Sequence, residues 1–391
     1  MRPTLSDEQK VQKIREDVPA VQAVAYFNAG TNGPVPRASH NAILDEAERE
    51  LVEGRIAMEG FKRYLAAMDE SRAVFASMLG CSADEVALTH NTTEGMNIAL
   101  MGIDWQPRDE IVTAASEHPG GLYPCLLLHQ RYGVTVRTTQ IGAPDVDPIE
   151  ALQRALTPRT RAVVLSHVSW SSGRVLPMRE IADLTHAAGA LLICDAAQSC
   201  GMVPSAVYDL GVDAYACSGQ KWLCGPQGTG GLFVRRDRFS TFGQTFMGYF
   251  GAEHHDLEGH FVPPAAARRY EYAMNSAPTV AGLLASLRWL SDEVGWDWIF
   301  TRIAALGRYC YDRLEEIPGV SVHTPHDAMA GLVHFTVEGV DPAEVTKQLS
   351  ERDILIRDLH DFGVNRVSTG FYNTHAEIDR LTEAVAALAL A

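Results

Sequence analysis

The sequence predicts an α/β protein with a large, mostly parallel sheet covered by helices, followed by a smaller α+β part. Three observations carry this expectation. From about residue 70 to 240, short apolar runs alternate with amphipathic stretches, the rhythm of parallel strands joined by crossover helices. Several of those runs, such as Ala162–Ser169 (AVVLSHVS), read as buried strands. A segment rich in Gly, His and Pro, Phe250 to Arg269, then marks a transition to long helical patterns and short strands.

In chain order, Glu110–Ala114 is strand-like and Ala162–Ser169 is a buried strand. Met178–Ala188 carries apolar residues at helical spacing, and Gly189 ends that helix. Ala190–Ala196 (ALLICDA), Ala214–Ser218 and Gly231–Arg235 are three more strands. Beyond the transition, Thr279–Val294 and Trp298–Ile317 are helical, Gly331–Val337 is a strand, and a terminal helix starts at His375. The expected division is a large domain over 26–262 and a small domain formed by 1–25 with 263–391, the N-terminal arm packing against the tail. No internal repeat is visible.

Composition narrows the function classes. The chain has 391 residues, 46% hydrophobic and 21% charged, enough for a substantial core. A net charge of −16 argues against a nucleic-acid partner, which calls for a basic face. Met1 to Asp17 is polar, without the apolar centre of a signal peptide. No apolar run reaches the roughly 18 residues that a bilayer requires, so no membrane partner is expected. The seven cysteines are scattered and form no CxxC pair, which fits free thiols in a reducing cytoplasm and no metal site.

In open α/β sheets, ligands bind at the carboxyl ends of the strands. Asp195 closes one predicted strand, and Lys221 follows another beside a Gly-rich loop. A lysine amine condenses with an aldehyde, and an aspartate keeps a pyridine nitrogen protonated; together they suit pyridoxal 5'-phosphate. The plain alternative makes Asp195 a helix cap and Lys221 a surface charge. Thr92 and Thr93, in Asn91-Thr92-Thr93-Glu94-Gly95, open a helix whose free amides and hydroxyls suit a phosphate. The same residues also suit an ordinary cap. Ser218 offers a further phosphate contact, His118 a ring to stack on the cofactor, and Gln198 a donor to its phenolic oxygen. A histidine in a loop is otherwise simply solvated.

Together these stretches resemble the aminotransferase class V family of fold-type I pyridoxal-phosphate enzymes, which includes the cysteine desulfurases. The matching segments are THNTTEGMN, SEHPGG, SHVSWSSGRVLP, CDAAQS, SGQKWLCGPQGTGG and RVSTGFYNTHAEIDRL, covering nearly the whole chain. The resemblance implies a seven-stranded sheet and Lys221 as the Schiff-base lysine. It also implies Asp195 as the pyridinium partner, His118 as the stacking ring, Gln198 on the phenolic oxygen, and Thr92, Thr93 and Ser218 around the phosphate. It places Asn28, Ala29, Gly30 and Ser171 beside the substrate, and it implies a homodimer with a shared active site. Two positions depart from the pattern. Gln220 stands where the group has histidine, a neutral group in place of a charged phosphate partner. Met274 stands where the group has a threonine reaching the neighbouring subunit's phosphate, and whether Asn275 or Ser276 replaces it is open.

Within the group the chain is most similar to the cystine C–S lyase type, and two features of Ile354–Arg366 bear on the reaction. The stretch is short and has no cysteine, whereas a desulfurase needs a loop cysteine to take sulfur as a persulfide. It also offers Arg357 and Arg366, and guanidinium groups bind carboxylates through paired hydrogen bonds. The resemblance implies Arg366 on the substrate α-carboxylate and Arg357 on a far carboxylate. The plain alternative pairs Arg357 with Asp358 or Asp361 at a strand edge. The expected reaction is α,β-elimination from cystine or a related sulfur amino acid, giving pyruvate, ammonia and a persulfide or thiol. The rivals are an isopenicillin-N-epimerase-like enzyme, a desulfurase, an aminotransferase, and a non-catalytic protein that retains the cofactor.

Overall fold

The computed structural model describes residues 6–55 and 58–390; residues 1–5 of the expected N-terminal arm lie outside the described residues. Among the described residues, fifteen strands occur in chain order: β1 (Ala25–Tyr26), β2 (Val86–Thr89), β3 (Glu110–Ala114), β4 (Thr135–Thr139), β5 (Thr160–Ser166), β6 (Leu191–Asp195), β7 (Ala214–Ser218), β8 (Gly230–Val234), β9 (His254–His255), β10 (Phe261–Val262), β11 (Val320–Val322), β12 (Leu332–Val337), β13 (Ile354–Leu355), β14 (Arg357–Leu359) and β15 (Val364–Ser368).

Seven of them form one sheet in the order β2-β8-β7-β6-β5-β3-β4. Pairings among β3 to β7 are parallel, and β8 is antiparallel to both of its neighbours. Only β8 therefore runs against the rest, and the carboxyl ends of β2, β3, β5, β6 and β7 share one edge. Successive side chains of a strand alternate between faces, and both faces here are apolar. Val112, Val163, Leu165, Leu192 and Cys194 enter one core, while Ile111, Ala162, Val164, Leu191 and Ile193 enter the other. This two-sided burial is why these strands read as nearly continuous apolar runs.

A second sheet has the order β11-β12-β15-β14. It packs with helices Trp296–Glu315 and His375–Ala389 around a third core that includes Leu306, Cys310, Phe335, Val367 and Ile378. The N-terminal helix Asp7–Asp17 lies against this region: Arg15 pairs with Glu377 at 2.8 Å, and Trp298 and Trp289 donate to Asp7 and Asp17. Strand β1 pairs in parallel with β13 as a separate two-stranded sheet, and Asn28 bridges to Ser368 at the end of β15, which ties the segment after that helix to the second sheet. No helix among the described residues is long and apolar enough to cross a membrane.

The differences from the sequence reading are local. The strand expected over Ala162–Ser169 ends at Ser166: His167 N makes a last bond to the Asp195 carbonyl of β6, and the chain then turns back on itself, Val168 bridging to Val175. The helical pattern Thr279–Val294 is a helix over Ala277–Arg288 continued by one π-helical turn, Trp289–Val294. Gly295, at φ +85°, closes it, so the next helix starts at Trp296.

One buried ion pair locks the edge strand that leads into the site. Glu271 receives Arg72 Nε at 2.9 Å and Nη2 at 2.6 Å, and its Oε1 also accepts from Leu88 N at 2.8 Å on the outer edge of β2. Removing one partner of such a pair strands a buried charge. Arg72→Ala should cost about 3 kcal/mol, read as a lower urea midpoint with an unchanged slope.

Candidate active site

At the shared edge of the strands lies a cavity of about 310 Å³. Its wall is assembled from five strand ends, the N-terminal turn and two strands of the second sheet. After β2, Asn91 caps helix Thr92–Met101 by accepting from Glu94 N at 2.9 Å, and Glu94 reaches back to His90 N at 2.5 Å. With the capping done by Asn91 and Glu94, the Thr92 hydroxyl is free to meet Ser218 Oγ at 2.6 Å, at the end of β7. Thr92, Thr93 and Ser218 all line the cavity beside this helix N-terminus, an arrangement suited to an anion.

After β3, His118 caps helix Pro119–Tyr132 and accepts from Gly120 N through Nδ1 at 3.1 Å. That bond sets the tautomer with the proton on Nε2. Burial first, then the positive Lys221, Arg357 and Arg366, pull its pKa down to about 4, so the ring is neutral at pH 7. It meets Trp170 edge-on, with ring centroids 5.1 Å apart, and Trp170 meets Phe362 in the same way at 5.2 Å.

Asp195 ends β6 and is buried. Burial raises its pKa, while the Ala197 N–H at 2.9 Å and the charge of Lys221 oppose that rise. Gln198 is fixed at both ends of its amide, donating to the Gly30 carbonyl at 2.9 Å and accepting from Trp222 Nε1 at 3.0 Å. Its second N–H remains for a ligand. Lys221 follows β7 in a loop held by Gly219 N to Thr229 O and Gly225 N to Gly219 O, both 2.8 Å. Desolvation lowers the Lys221 pKa to about 8, against the pull of Asp195 and with the help of Arg366 and Arg357.

The remaining wall comes from the N-terminal turn and the second sheet. Gly33 N donates to the Gln220 carbonyl at 2.8 Å and Ser368 N to the Phe27 carbonyl at 2.9 Å, so residues 27–33 are sewn between the lysine loop and the end of β15. A Cβ on Gly33 would stand 2.0 Å from the Lys221 carbonyl, and one on Gly30 would stand 2.8 Å from Ser368 Oγ and 3.0 Å from Arg366 Nη2. Arg366 is buried, and Arg357 is exposed directly opposite it on β14. Arg357 donates to Thr31, not to Asp358 or Asp361, so the strand-edge pairing is not formed among the described residues.

Eleven of the expected residues therefore meet in one cavity: Gly30, Thr92, Thr93, His118, Asp195, Gln198, Ser218, Gln220, Lys221, Arg357 and Arg366. Asn28, Ala29 and Ser171 do not line it. Asn28 accepts from Thr31, Ala29 is core, and Ser171 faces Ser169 at 3.2 Å. Met274, Asn275 and Ser276 line a separate surface cavity of about 480 Å³ with Tyr64. The sequence reading missed Thr31, Asn91, Trp170 and Ala197 as wall residues. Trp170 lies in the loop after β5, where the strand-end rule points; Thr31 carries no such signal.

The wall fits pyridoxal phosphate. A helix N-terminus with two hydroxyls suits the phosphate, a carboxylate suits the ring nitrogen, and an amine of lowered pKa suits the aldehyde. Two buried polar atoms in the wall, Gln220 Oε1 and Arg366 Nε, have no partner among the described residues, as expected where a polar ligand completes the site.

A profile of the aminotransferase class-V family matches residues 26–381. The chain is 30% identical to a cysteine desulfurase of Haloferax volcanii, over 93% of this chain and 85% of that protein. It is 27% identical to a probable cysteine desulfurase of Methanothermobacter thermautotrophicus, over 97% and 98%. The cystine C–S lyase C-DES, solved with its reaction product cysteine persulfide, superposes with a TM-score of 0.89 at 28% identity, covering 94% of this chain and 99% of that one. A C-DES mutant with glycine covalently linked to its pyridoxal-phosphate cofactor superposes equally well. With the family profile spanning nearly the whole chain and a wall that suits the cofactor, the chain belongs to the aminotransferase class-V family of pyridoxal-phosphate-dependent enzymes.

Proposed function

We propose that this enzyme is a carbon–sulfur lyase performing α,β-elimination on a sulfur amino acid, with cystine as the preferred substrate. The observation that carries the reading is the pair Arg357 and Arg366, facing each other across β14 and β15 at the cavity without a carboxylate partner among the described residues. Each guanidinium can take a carboxylate through two parallel hydrogen bonds. Arg366 holds the α-carboxylate and Arg357 the far carboxylate of a disulfide amino acid.

When bound, the cofactor supplies a ring that accepts the electrons released at the substrate Cα. Thr92, Thr93, Ser218 and the helix amides would hold its phosphate, with Gln220 as a further partner. Asp195 would keep the proton on the ring nitrogen. Neutral His118 would supply a ring for stacking, and Gln198 a donor for the phenolic oxygen. The Lys221 amine takes the α-proton, having a pKa close to that of a working general base. The Cβ–S bond then breaks, and its electron pair leaves with the sulfur as a persulfide anion. Water converts the remaining three-carbon fragment to pyruvate and ammonia. A persulfide is a stable anion, so no strong acid is needed at the leaving group.

Relatives named as cysteine desulfurases make sulfur transfer the second reading. Against it, residues 354–366 contain no cysteine. No cysteine lines the cavity, and all but Cys81 are buried. Epimerisation needs a proton donor on the face opposite Lys221, and no acidic side chain of the cavity other than Asp195 is available for it. In this reading the working unit is a cytoplasmic homodimer, with the face around Met274 to Ser276 turned toward the second copy.

Cystine should yield pyruvate and a persulfide with a kcat/KM well above that for cysteine. Arg357→Ala should reduce the cystine value about tenfold or more, a loss expected for one charge-assisted contact, and leave cysteine nearly unchanged. Equal losses on both substrates, or α-deuterium exchange with inversion and no pyruvate, would reject the lyase reading. Lys221→Ala should abolish the visible absorbance of the bound cofactor. Because only the free amine attacks an aldehyde, the rate at which apoprotein captures added pyridoxal phosphate should rise with pH and level off above about 8. An ordinary lysine would keep rising to about 10.

A further inference from the structure

The two arginines occupy directly opposed positions of an antiparallel pair. Such residues project to the same face, and like charges there repel. Nothing in the described wall neutralises them. Arg357 Nη1 donates to Thr31 Oγ1 at 3.1 Å, Arg366 Nη2 donates to the same oxygen at 3.2 Å, and Arg366 Nη1 reaches only the Trp170 carbonyl at 3.4 Å. Arg366 Nε is buried with no partner among the described residues. Thr31 Oγ1 in turn donates to Asn28 Oδ1 at 2.7 Å. A hydroxyl has one proton and two lone pairs, so this oxygen is fully engaged, and both lone pairs face guanidinium groups.

The hydroxyl is also well anchored. Thr31 N and Asn32 N both donate to the Asn28 carbonyl, at 3.0 and 3.2 Å, and Asn28 bridges to Ser368, two residues beyond Arg366. Gly33 N fixes the other end of the turn to Gln220. An exposed arginine repelled by its neighbour would otherwise swing into solvent. A carboxylate in place of Thr31 would hold it but would cancel the charge that binds substrate. A neutral hydroxyl holds both groups and leaves both charges intact. Each guanidinium has five N–H donors and gives Thr31 only one, so carboxylates bind through the remaining donors while the hydroxyl stays in place.

We propose that Thr31 is a specificity-determining residue: its hydroxyl yokes Arg357 to Arg366, so that the pair reads two carboxylates at a set spacing. It thereby selects diamino diacids of cystine's length over amino acids with one carboxylate. This rests on the cystine reading above and adds to it a residue that sets the spacing.

The test uses holoenzyme and two unreactive ligands, followed by the change each causes in the absorbance of the bound cofactor. One is 2,7-diaminosuberate, in which carbon replaces the disulfide sulfurs; the other is 2,7-diaminoheptanoate, which lacks the far carboxylate. The wild type should bind the diacid more tightly. Thr31→Val should weaken the diacid by about tenfold and the monoacid by no more than about twofold, the size expected for hydrogen bonds to a charged group. Thr31→Ser should restore the diacid. Monoacid binding shows that each variant retains a folded site, and Thr31→Ala is read in the same way should the valine variant not fold. Equal weakening of both ligands, or no recovery with serine, overturns the proposal. A wild type that prefers the diacid and a valine variant that keeps the preference leave the cystine reading standing and remove Thr31 from it. A wild type that binds both ligands alike removes both.

Discussion

The 2.8 Å hydrogen bond from Gly33 N to the Gln220 carbonyl joins parts of the chain that are otherwise remote. Gln220 precedes the lysine at the end of β7, and Gly33 belongs to a turn whose other end is bonded to β15. Through this turn the large sheet presents its lysine and aspartate to the arginines of the small sheet. The approach is so close that a single Cβ at residue 33 would overlap the Lys221 carbonyl. Glycine is required there by contact distance, since its φ is ordinary.

Around that junction the charges are arranged in opposition. Lys221, Arg357 and Arg366 crowd one cavity, with Asp195 as the carboxylate among them. Burial first, and then these neighbouring charges, leave His118 neutral, lower the Lys221 pKa to about 8 and, through Arg357, pull that of Arg366 down to about 9. Without a ligand this cluster is electrostatically unfavourable, and a phosphate and substrate carboxylates relieve it. Buried Glu117 adds a further constraint. It accepts from Ser166 N at 2.8 Å and from the Ser166 hydroxyl, and burial pushes its pKa up to about 7. It thus joins the His118 turn to the end of β5 while carrying only about half a negative charge near pH 7.

Much of this was legible in the chain itself. Strands buried on both faces write their position as apolar runs, so β3, β6, β7 and β8 were located to within a residue or so. The terminal helix from His375 was legible because its Thr374 and Glu377 capping box is local. Helix boundaries near Trp289 were less so, since the π-helical turn keeps the apolar spacing of the helix that it extends. Asp195, Lys221, His118 and Thr92 were found because strand ends and helix starts leave local marks.

Local pattern therefore determined the fold class, the strand ends and the residue types placed at them, because hydrophobic period and capping act over a few residues. Which of those residues meet was decided by tertiary structure alone. Ser171 faces away while its neighbour Trp170 enters the wall, since the loop after β5 turns on the Trp170 Nε1 bond to Ser116 O at 2.8 Å. The opposition of Arg357 and Arg366 depends on strand register, and their shared contact with Thr31 depends on a turn more than three hundred residues away. Contacts that span such separations leave no periodic trace in a sequence, because nothing local constrains either partner.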